Sequence, residues 1–538
     1  MLHRHMLGMI LFLLVMISVT IVHAQIFDGR LVRTNLGFVL APDAEGRWNW
    51  RANPDVPIPL VGGDGYLFSA YYNDSLYLAG NWPGFAMWEG GARNAAGAYI
   101  LVPVCQTGRF TADEWSALSS GQQYRISFGT ASWPTNFGAP YIDHDSNGVY
   151  DHDAMQLPAL PLDDPVVIGQ EAMWCLTNDG PAWGRSSHDM QRRGLHFRHL
   201  LWSYAGVGCP EKVLFHRLRI INTTPNLLRD AVISFVSAVS IGDDRKDDLV
   251  GVDSTLKLAY FYNSADNPQP SDSLPAAGYL LLQGPVVQDP GSVGMFDLSL
   301  REGIHNLPYS SFTFLPYADS AGTRTDTSAQ DFPESLRNMM EGKRASGSAQ
   351  WDPIAGRETR FAVSGNPLLQ SGWTDSQEGN GGERILLVSM GPFDMAPGDT
   401  QEVVIGRIAE QSTTQLETLV ALFDHAQCVR QHYESQFITG VKPLPRPLGF
   451  KLGAVWPNPV STGQSHNISF ELELQHSAHV TLKLVDILGR SRVLQDCGRL
   501  PAGTTQLQLP VHSKLSPGVY MLIAESGVRR AGTMVVVE

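Results

Sequence analysis

The sequence predicts a mainly β protein with more than one β-sandwich, one long amphipathic helix in its larger part, and a small antiparallel sandwich at its C-terminal end. The first observation behind this prediction is that 52 glycines and 34 prolines are spread over 538 residues, as in proteins with many short strands joined by turns. The second is that short runs of alternating apolar and polar residues recur along the chain. The third is a single segment in which apolar residues follow the helical period instead. A chain of this length can hold about two to four domains with sizeable cores.

The first 24 residues have the pattern of a signal peptide. Arg4 precedes an apolar run from Leu7 to Val22, and Val22-His23-Ala24 ends it in the small-x-small manner of a cleavage site. The run is short for a bilayer span of roughly 20 residues, although an uncleaved membrane anchor is the alternative. We therefore expect the Sec translocon and signal peptidase as partners, Gln25 as the mature start, and no transmembrane span in the mature chain.

The rest of the chain divides into four predicted parts. These are an N-terminal β-rich region at residues 25–190, a central β-sandwich region at 191–439 that ends in a helix, a proline-rich linker at 440–449, and a C-terminal module at 450–538. Alternating prolines mark the linker, because they cannot join a sheet interior and favour an extended, stiff spacer.

The N-terminal region begins with short predicted strands over residues 25–140. Aromatic residues alternate over Tyr66–Tyr72, the turn residues Asn73-Asp74 follow, and Leu76–Leu78 alternates again. This order predicts a β-hairpin.

The central region contains a predicted antiparallel strand pair. Val213–Ile221 and Ala231–Ser237 are apolar and rich in β-branched residues, and Asn222–Asn226 supplies turn residues between them. Further strands are predicted at Leu256–Tyr262, Gly278–Leu282, Arg384–Val388 and Glu402–Ile408.

One helix is predicted after this region, beginning at Thr414. Thr414 and Glu417 have the spacing of a capping box, in which the two side chains bond to each other's backbone amides. The apolar residues that follow are mostly three or four positions apart, so we expect them to form one face packed on a sheet. They are Leu416, Leu419, Val420, Phe423, Val429, Tyr433 and Phe437.

The cysteines are widely spaced and odd in number, without a CxxC pair. They are Cys105, Cys175, Cys209, Cys428 and Cys497. Such spacing predicts neither a disulfide scaffold nor a cysteine zinc site. We expect buried free thiols, with a Cys175–Cys209 bridge as the alternative.

The segment from Asp143 to Asp151 predicts a structural calcium site. Side-chain oxygens fall at positions one, three, five and nine of a loop that resembles the start of an EF-hand loop, and Gly148 stands at position six, where a sharp turn is needed. Position twelve is Ala154 rather than a carboxylate, so a plain turn bonded to its own backbone is the alternative. The predicted ligands are Asp143, Asp145, Asn147 and Asp151, with the backbone carbonyl of Val149.

A second acidic segment lies in the central region. Its carboxylates repel one another unless a cation or solvent intervenes, so it is either a second calcium site or a solvated loop that includes Arg245 and Lys246. The acidic residues are Asp243, Asp244, Asp247, Asp248 and Asp253.

Several function classes are disfavoured. The net charge is −14 and the chain has no basic run, so nucleic acid is not an expected partner. The motifs HExxH, GxSxG, GxGxxG and the Walker loop are absent from the sequence, and we assign no catalytic residue. His188 and Asp189, together with His196 and His199, could be taken as a metal cluster, but His196 and His199 are better explained as exposed polar groups on a strand or loop.

Residues 450–538 predict a small antiparallel sandwich by pattern alone. Within it, Trp456-Pro457-Asn458-Pro459 resembles the Tyr-Pro-Asn-Pro start of the type IX secretion sorting domain, also called the Por secretion C-terminal domain. Asp486–Arg490 resembles that family's Asp-x-x-Gly-Arg turn, Leu500–Gly503 its Leu-x-x-Gly step, and Leu515–Tyr520 its Leu-x-x-Gly-Val-Tyr strand start. The motif residues are Pro457, Asn458, Pro459, Gly489, Gly503, Gly518 and Tyr520.

The resemblance implies an immunoglobulin-like sandwich and a route. Such domains fold in the periplasm, are recognised by an outer-membrane translocon, and are usually removed by a sortase-like protease. The passenger, which is the chain before the linker, would then be released or attached at the cell surface. An ordinary immunoglobulin-like adhesive domain is the alternative.

The passenger resembles large secreted β-rich proteins of the Bacteroidota type, which have no activity that we can name. The similar blocks are residues 242–263, 364–373 and 389–399. Two function classes follow. One is a noncatalytic surface or secreted β-sandwich protein, stiffened by calcium and acting in adhesion, envelope structure or ligand binding. The other is a secreted hydrolase that acts on polysaccharide or protein.

Overall fold

A computed structural model describes most of the chain, and every structural statement below concerns the residues it describes. These are 29–31, 36–40, 46–50, 58–82, 85–86, 89–93, 99–100, 102–144, 147–152, 163–179, 194–206, 208–242, 247–264, 274–316, 332–378, 381–437, 450–453, 455, 457–458, 460, 466–474, 478–486, 490–501, 503–511, 515–526 and 529–537. The predicted signal peptide and the predicted linker before residue 450 lie outside them. The chain forms two compact units, Met1–Gly440 and Val441–Glu538.

The strands of the first unit are β1 Gly29–Leu31, β2 Leu36–Leu40, β3 Gly46–Trp50, β4 Ile58–Tyr72, β5 Ser75–Trp82, β6 Phe85–Ala86, β7 Glu89–Gly90, β8 Ala92–Arg93, β9 Tyr99–Ile100, β10 Cys105–Gly108, β11 Tyr141–Ile142, β12 Asp164–Pro165, β13 Glu171–Asn178, β14 Leu195–Ser203, β15 Val213–Asn222, β16 Leu228–Val239, β17 Asp248–Asp253, β18 Leu258–Asn263, β19 Leu274–Gln283, β20 Val286–Phe296, β21 Ser299–Asn306, β22 Ser311–Pro316, β23 Gln350–Asp352, β24 Arg357–Thr359, β25 Arg384–Met395 and β26 Thr400–Ser412. The helices are α1 Ala112–Ala117, α2 Ser120–Ala131, α3 Phe332–Met340 and α4 Gln415–Phe437. Strands dominate, as the sequence predicts.

Two large antiparallel sheets pack face to face in this unit. The first has the order β1-β2-β3-β4-β16-β25-β22, with β5 on β4 and β6 on β5. The second has the order β10-β13-β14-β15-β26-β19-β18-β17, with β7 on β13. Inward apolar side chains of both sheets form one core, in which Phe68 contacts Phe197 and Phe235 contacts Tyr279. Each sheet contains strands from both residues 25–190 and residues 191–439, so these two regions share one core.

The predicted hairpin near residue 70 is confirmed. β4 and β5 pair antiparallel, with Tyr72 opposite Ser75. Asn73 and Asp74 have φ values of 48° and 62°, the left-handed conformation that a two-residue turn between twisted strands requires.

The predicted pairing of Val213–Ile221 with Ala231–Ser237 is wrong. β15 lies between β14 and β26 in the second sheet, whereas β16 lies between β4 and β25 in the first. The turn between them crosses from one sheet to the other, and the Asn222 amide fixes it by donating to the carbonyl oxygens of Met395 and Asn226, each at 3.0 Å. Both strands are almost wholly buried with a neighbour on each side, and a buried run does not reveal its partner.

Helices α1 and α2 replace the short strands predicted for this part of residues 25–140. Each begins with a capping box, in which Thr111 pairs with Glu114 and Ser119 pairs with Gln122. Helix α2 packs on β10 through Gly129, where a Cβ atom would lie 2.2 Å from the Gln106 carbonyl oxygen. The two S/T-x-x-E/Q patterns are the signal in the sequence that could have predicted these helices.

Helix α4 is confirmed, and it packs on β26 and β19 of the second sheet. The Glu417 amide donates to the Thr414 hydroxyl over 3.3 Å. The Glu417 carboxylate accepts hydrogen bonds from nearby hydroxyl groups, most strongly from Thr413, and these bonds hold the pKa of Glu417 below its usual range. Two of the predicted buried positions differ, since Leu416 and Val420 are 46% and 47% exposed. The buried face instead consists of Thr418, Leu419, Leu422, His425, Ala426, Val429, Tyr433 and Phe437.

A disulfide joins Cys209 to Cys428, so the expectation of free thiols is wrong for these two residues and the Cys175–Cys209 alternative is excluded. Their separation of 219 residues leaves no pattern in the spacing. The bond ties α4 to the short turn that precedes β15, and disulfides typically contribute about 2–4 kcal/mol to stability. Cys105 keeps its thiol, which donates to the Ser132 carbonyl.

The second unit is an immunoglobulin-like sandwich, as predicted. Its strands are β27 Phe450–Leu452, β28 His466–Leu474, β29 Ala478–Asp486, β30 Ser491–Leu500, β31 Gly503–Val511, β32 Gly518–Ser526 and β33 Arg529–Val537. One sheet has the order β27-β28-β31 and the other β30-β29-β32-β33. The predicted alternation holds, because Ile468, Leu472, Leu482 and Leu484 are all fully buried in a core of the unit's own.

Candidate functional site

The first functional region is the C-terminal module, residues 450–538, in which the motif residues hold the sandwich together. The Asn458 side-chain oxygen accepts a hydrogen bond from the Val536 amide at 2.8 Å, and the Val460 amide donates to the Val536 carbonyl at 2.8 Å. The segment that carries the Pro-Asn motif is thereby fastened to the last strand. Pro457 lies half-buried beside it, and Pro459 lies outside the described residues.

The other motif residues shape the turns of the module. The Arg490 side chain binds the Asp486 carboxylate at 2.9 Å and closes the turn between β29 and β30. The Tyr520 hydroxyl donates to the Ser516 carbonyl at 2.8 Å, so this tyrosine fixes the chain just before its own strand. Gly518 has a φ of +155°, which side chains rarely allow, and Gly503 begins β31. Gly489 lies outside the described residues.

The predicted calcium loop is described except for Asp145 and Ser146. The Asp143 carboxylate accepts the amides of Asn147 and Gly148 at 3.2 and 2.8 Å. The Asn147 side chain accepts the Val149 amide and donates to Asp151 at 2.7 Å. Gly148 adopts a φ of +78°, the left-handed conformation predicted for position six. These bonds agree with a plain turn and also with the backbone geometry of a calcium loop.

The sequence did not single out Asp163, which holds this loop at both ends. Its carboxylate is fully buried and accepts the amides of His144 at 2.8 Å and Asp151 at 2.9 Å. The Asp163 carbonyl also lies 2.7 Å from Nδ1 of His152. No spacing rule connects Asp163 to Asp143, because the two residues are 20 positions apart in the sequence.

Calcium binding by this loop stays a prediction. Among the described residues, no group of three or more His, Cys, Asp or Glu side chains could hold a metal ion. If calcium binds, millimolar calcium should raise the melting temperature of the protein measured by calorimetry, and Asp143→Ala should reduce that rise. Asp113→Asn, on an exposed residue of α1, is the control and should leave the rise unchanged. An equal rise in Asp143→Ala and the parent would establish the plain turn.

A cavity of about 450 Å³ adjoins the end of this loop. Its wall carries two aromatic rings, Phe110 and Trp115, which meet edge to face with centroids 5.9 Å apart. The remaining lining residues are the aliphatic Ile126 and residues that are small, hydroxyl-bearing or polar: Gly108, Thr111, Ala112, Ser127, Thr130 and His152. The Tyr150 hydroxyl donates to the Thr130 carbonyl at 2.7 Å, so the loop braces the cavity wall.

A buried polar network crosses the passenger core between the sheets. Arg407 binds the Asp64 carboxylate through two nitrogens, at 2.8 and 3.1 Å, and donates to Nδ1 of His216 at 3.0 Å. His216 lies 3.1 Å from His199, which lies 3.1 Å from the Thr177 hydroxyl. Each of these five residues is no more than 3% exposed.

The environment of this network keeps both imidazoles neutral. Burial, followed by the nearby Arg407 charge, lowers the pKa of His199 to about 3, and the same causes place the pKa of His216 well below its usual range. The prediction that His199 is an exposed polar group is therefore wrong. His199 alternates with apolar residues on a strand that is buried on both faces, and sequence cannot separate that case from an exposed one. His188 lies outside the described residues.

A second cavity, of about 490 Å³, is lined by three aspartates. The Asp394 carboxylate accepts the Asp230 amide at 2.9 Å, and the Asp399 carboxylate accepts the Ala396 amide at 2.7 Å. Both carboxylates are thus held by backbone donors. The hydrolase alternative predicted from the sequence needs paired carboxylates, and the aspartates of this cavity are candidates for that role.

The predicted acidic segment of the central region is only partly described. Asp243 and Asp244 lie outside the described residues, and Asp253 caps a turn by accepting the Thr255 and Leu256 amides at 2.8 and 2.9 Å. Asp248 is the first residue of β17, and Asp247 directly precedes it. No helix in the described part of the chain combines the length and the hydropathy needed to cross a membrane.

Comparison with known proteins identifies the module alone. The family described as the secretion system C-terminal sorting domain matches residues 454–538. No protein of curated function has a matching sequence.

Similarities to solved structures are remote. A polysaccharide lyase is 8% identical, with 95% of this chain and 46% of the lyase chain covered and a TM-score of 0.25. This chain thus spans about half of the lyase. Two trimeric ectodomain structures of the C. elegans fusion protein EFF-1 are 7% and 8% identical, with 66% of this chain and 96% and 93% of theirs covered, each with a TM-score of 0.14. Scores this low carry no argument about fold or function.

Proposed function

We propose that the passenger is a noncatalytic β-sandwich protein that binds a ligand outside the cell. The premise is that residues 454–538 are a secretion system C-terminal sorting domain, which sends the chain through the type IX system to the cell surface or the extracellular space. Adhesion or an envelope role would use the same binding. The observation that carries this proposal is the cavity beside the loop at residues 143–152, with its pair of aromatic rings and its hydroxyl rim.

The chemistry of this cavity suits a polar ligand that has one apolar face, such as a sugar ring. Phe110 and Trp115 offer apolar ring surface, on which the C–H face of a sugar can lie. Ser127 offers a hydroxyl group that can donate and accept hydrogen bonds, and the Thr111 hydroxyl, which accepts the Glu114 amide, can still donate one.

The scaffold around the cavity supports binding rather than chemistry. The passenger's buried histidines and its Asp64–Arg407 pair are sealed between two sheets, away from any ligand in the cavity. Gly129 lets α2 lie directly on β10, and the Cys209–Cys428 bond fastens α4 to the second sheet. A rigid, disulfide-tied frame keeps a binding surface preorganised outside the cell.

We expect the Trp115→Ala variant to lose ligand affinity. The test is calorimetric titration of the exported protein with a panel of neutral and acidic oligosaccharides, and the expected loss is about tenfold or more, because a central aromatic anchor typically contributes more than 1 kcal/mol. The control is Tyr124→Ala, which removes a 67% exposed aromatic residue of α2 that does not line the cavity.

Two outcomes would contradict this function. One is equal affinity in Trp115→Ala and the parent protein for every sugar that binds. The other is cleavage of an oligosaccharide or of casein that Asp394→Asn abolishes, which would establish the hydrolase alternative at the aspartate-lined cavity.

The processing steps on either side of export are also part of this proposal. The Sec translocon and signal peptidase would act on residues 1–24. A sortase-like protease would cut in or near the linker at residues 440–449. The mass of the mature surface form fixes both cleavage points.

A further inference from the structure

Two buried side chains face each other at the start of the β17–β18 hairpin. Asp248 and Asn263 are directly opposite in the antiparallel register, so they project from the same face of the sheet. Val250 and Phe261 lie on that face too, and both belong to the core between the two large sheets. Asp248 is 0% exposed and Asn263 is 1% exposed, so water does not solvate them.

One oxygen of each side chain has no hydrogen-bond partner in the described part of the chain. These oxygens are Oδ2 of Asp248 and Oδ1 of Asn263. The other Asp248 oxygen accepts the Ile241 amide at 3.3 Å. The Asn263 amide nitrogen donates to the Ile241 carbonyl at 3.3 Å and to Oδ1 of Asp247 at 2.9 Å. Leaving a buried polar atom unsatisfied typically costs about 1–3 kcal/mol, and more for a charged one.

Rotating the Asn263 amide does not remove this excess of acceptors. Exchange of its oxygen and nitrogen would place Oδ1 against the Ile241 carbonyl and the Asp247 carboxylate, which would then face a third oxygen instead of a donor. In either orientation, oxygens outnumber the donors around this point. A cation bound here, or a proton on Asp248, would balance this excess.

Among the described residues, the neighbouring charges do not balance these oxygens. The acidic neighbours Asp247 and Glu383 add negative charge around Asp248. Arg384 acts in the opposite direction, but its guanidinium is committed to Asp375 through two hydrogen bonds of 3.1 and 3.2 Å.

We propose that Asp247, Asp248 and Asn263, together with the Ile241 carbonyl, form a calcium site that is separate from the loop at residues 143–151. All the donors are oxygens, which suits a hard cation rather than zinc or copper. Two carboxylates, an amide and a carbonyl make a site of low charge. We therefore expect a Kd for calcium of about 10⁻⁴ to 10⁻³ M, as in extracellular calcium modules.

The position of the site gives it a structural role. β16 ends at Val239 in the first sheet, and β17 begins at Asp248 in the second. The connection between them therefore crosses the sandwich, and Ile241 lies in its first part. A cation bound by both Ile241 and the β17–β18 hairpin ties the crossing to the second sheet.

The experiment uses the full exported chain with Asp143→Ala in every sample, so that the loop at residues 143–151 contributes nothing. Terbium ion is titrated as a luminescent calcium substitute, excited through nearby aromatic side chains, and is then displaced with calcium. We expect saturable luminescence, its loss in Asp248→Asn, and about tenfold tighter binding in Asn263→Asp, because an added carboxylate increases the ligand charge.

Melting temperatures keep the test decisive if a variant is unstable. In a chelator, Asp248→Asn should melt no lower than its parent, because it removes an unsatisfied carboxylate, and added calcium should no longer raise its melting temperature. The proposed site is overturned if Asp248→Asn binds terbium as well as the parent does. It is also overturned if Asn263→Asp binds terbium no more tightly than the parent. Absence of any terbium or calcium response in the parent also overturns it and identifies Asp248 as a neutral buried acid.

Discussion

Deletion of residues 450–538 is expected to leave the passenger in the periplasm instead of at the cell surface or in the medium. The sorting domain is a compact unit with its own core, and the passenger's sheets and disulfide lie entirely before residue 441. The deletion therefore removes the export signal without removing a strand of the passenger. Cell fractionation and protease treatment of intact cells measure the result.

Two point variants give this prediction a matched control. Asn458→Ala removes the acceptor of the Val536 amide and should loosen the motif segment from β33, with a lower surface fraction. Asn467→Ala changes an exposed asparagine of the same module and should be exported normally. The Asn467 side-chain amide donates a long hydrogen bond of 3.4 Å to the Gln508 side chain. Normal export of the deletion variant would refute the sorting role of the module.

Breaking the buried ion pair of the passenger is expected to give the largest loss of stability of any single substitution discussed. Arg407→Met leaves the Asp64 carboxylate buried between two sheets without its partner, at a cost of about 3–5 kcal/mol. It also removes the donor to His216 at the head of the imidazole chain. Urea unfolding followed by tryptophan fluorescence measures the change in the passenger.

The double variant Asp64→Leu with Arg407→Met separates the two contributions. Because it removes both charges together, it should regain most of the lost stability, as buried ion pairs often do when replaced by apolar residues. Arg229→Met, which breaks an exposed pair with Asp74, is the control and should cost about 1 kcal/mol or less. A loss in Arg407→Met no larger than in the control would contradict this role of the pair.

Local patterns in the sequence predicted local structure well. The alternation before Asn73-Asp74 gave the hairpin β4–β5, and the capping box at Thr414 located the start of α4. The module was predicted as a small antiparallel sandwich, because its apolar residues alternate along short runs that are separated by turn residues such as Gly503. These features depend on residues that are neighbours in the chain.

Features that depend on distant residues were not predictable in the same way. Asn222 turns the chain from one sheet into the other, yet its neighbours have the composition of an ordinary hairpin turn. Cys209 and Cys428 meet because α4 folds back on the second sheet. At the candidate sites, Asp163 and Asn263 are distant in the sequence from the residues they contact, and no motif spacing links them. The α1–α2 segment is different, since its capping boxes were visible in the sequence.

The most direct test of the account transfers the module to an unrelated protein. A reporter with a signal peptide is fused to residues 441–538 and expressed in cells with an intact type IX system, and its exposure on whole cells is measured with an antibody. We predict that the fused reporter reaches the surface or the medium while the unfused reporter stays in the periplasm. A fused reporter that is folded and intact but confined to the periplasm would contradict the claim that these residues carry the address.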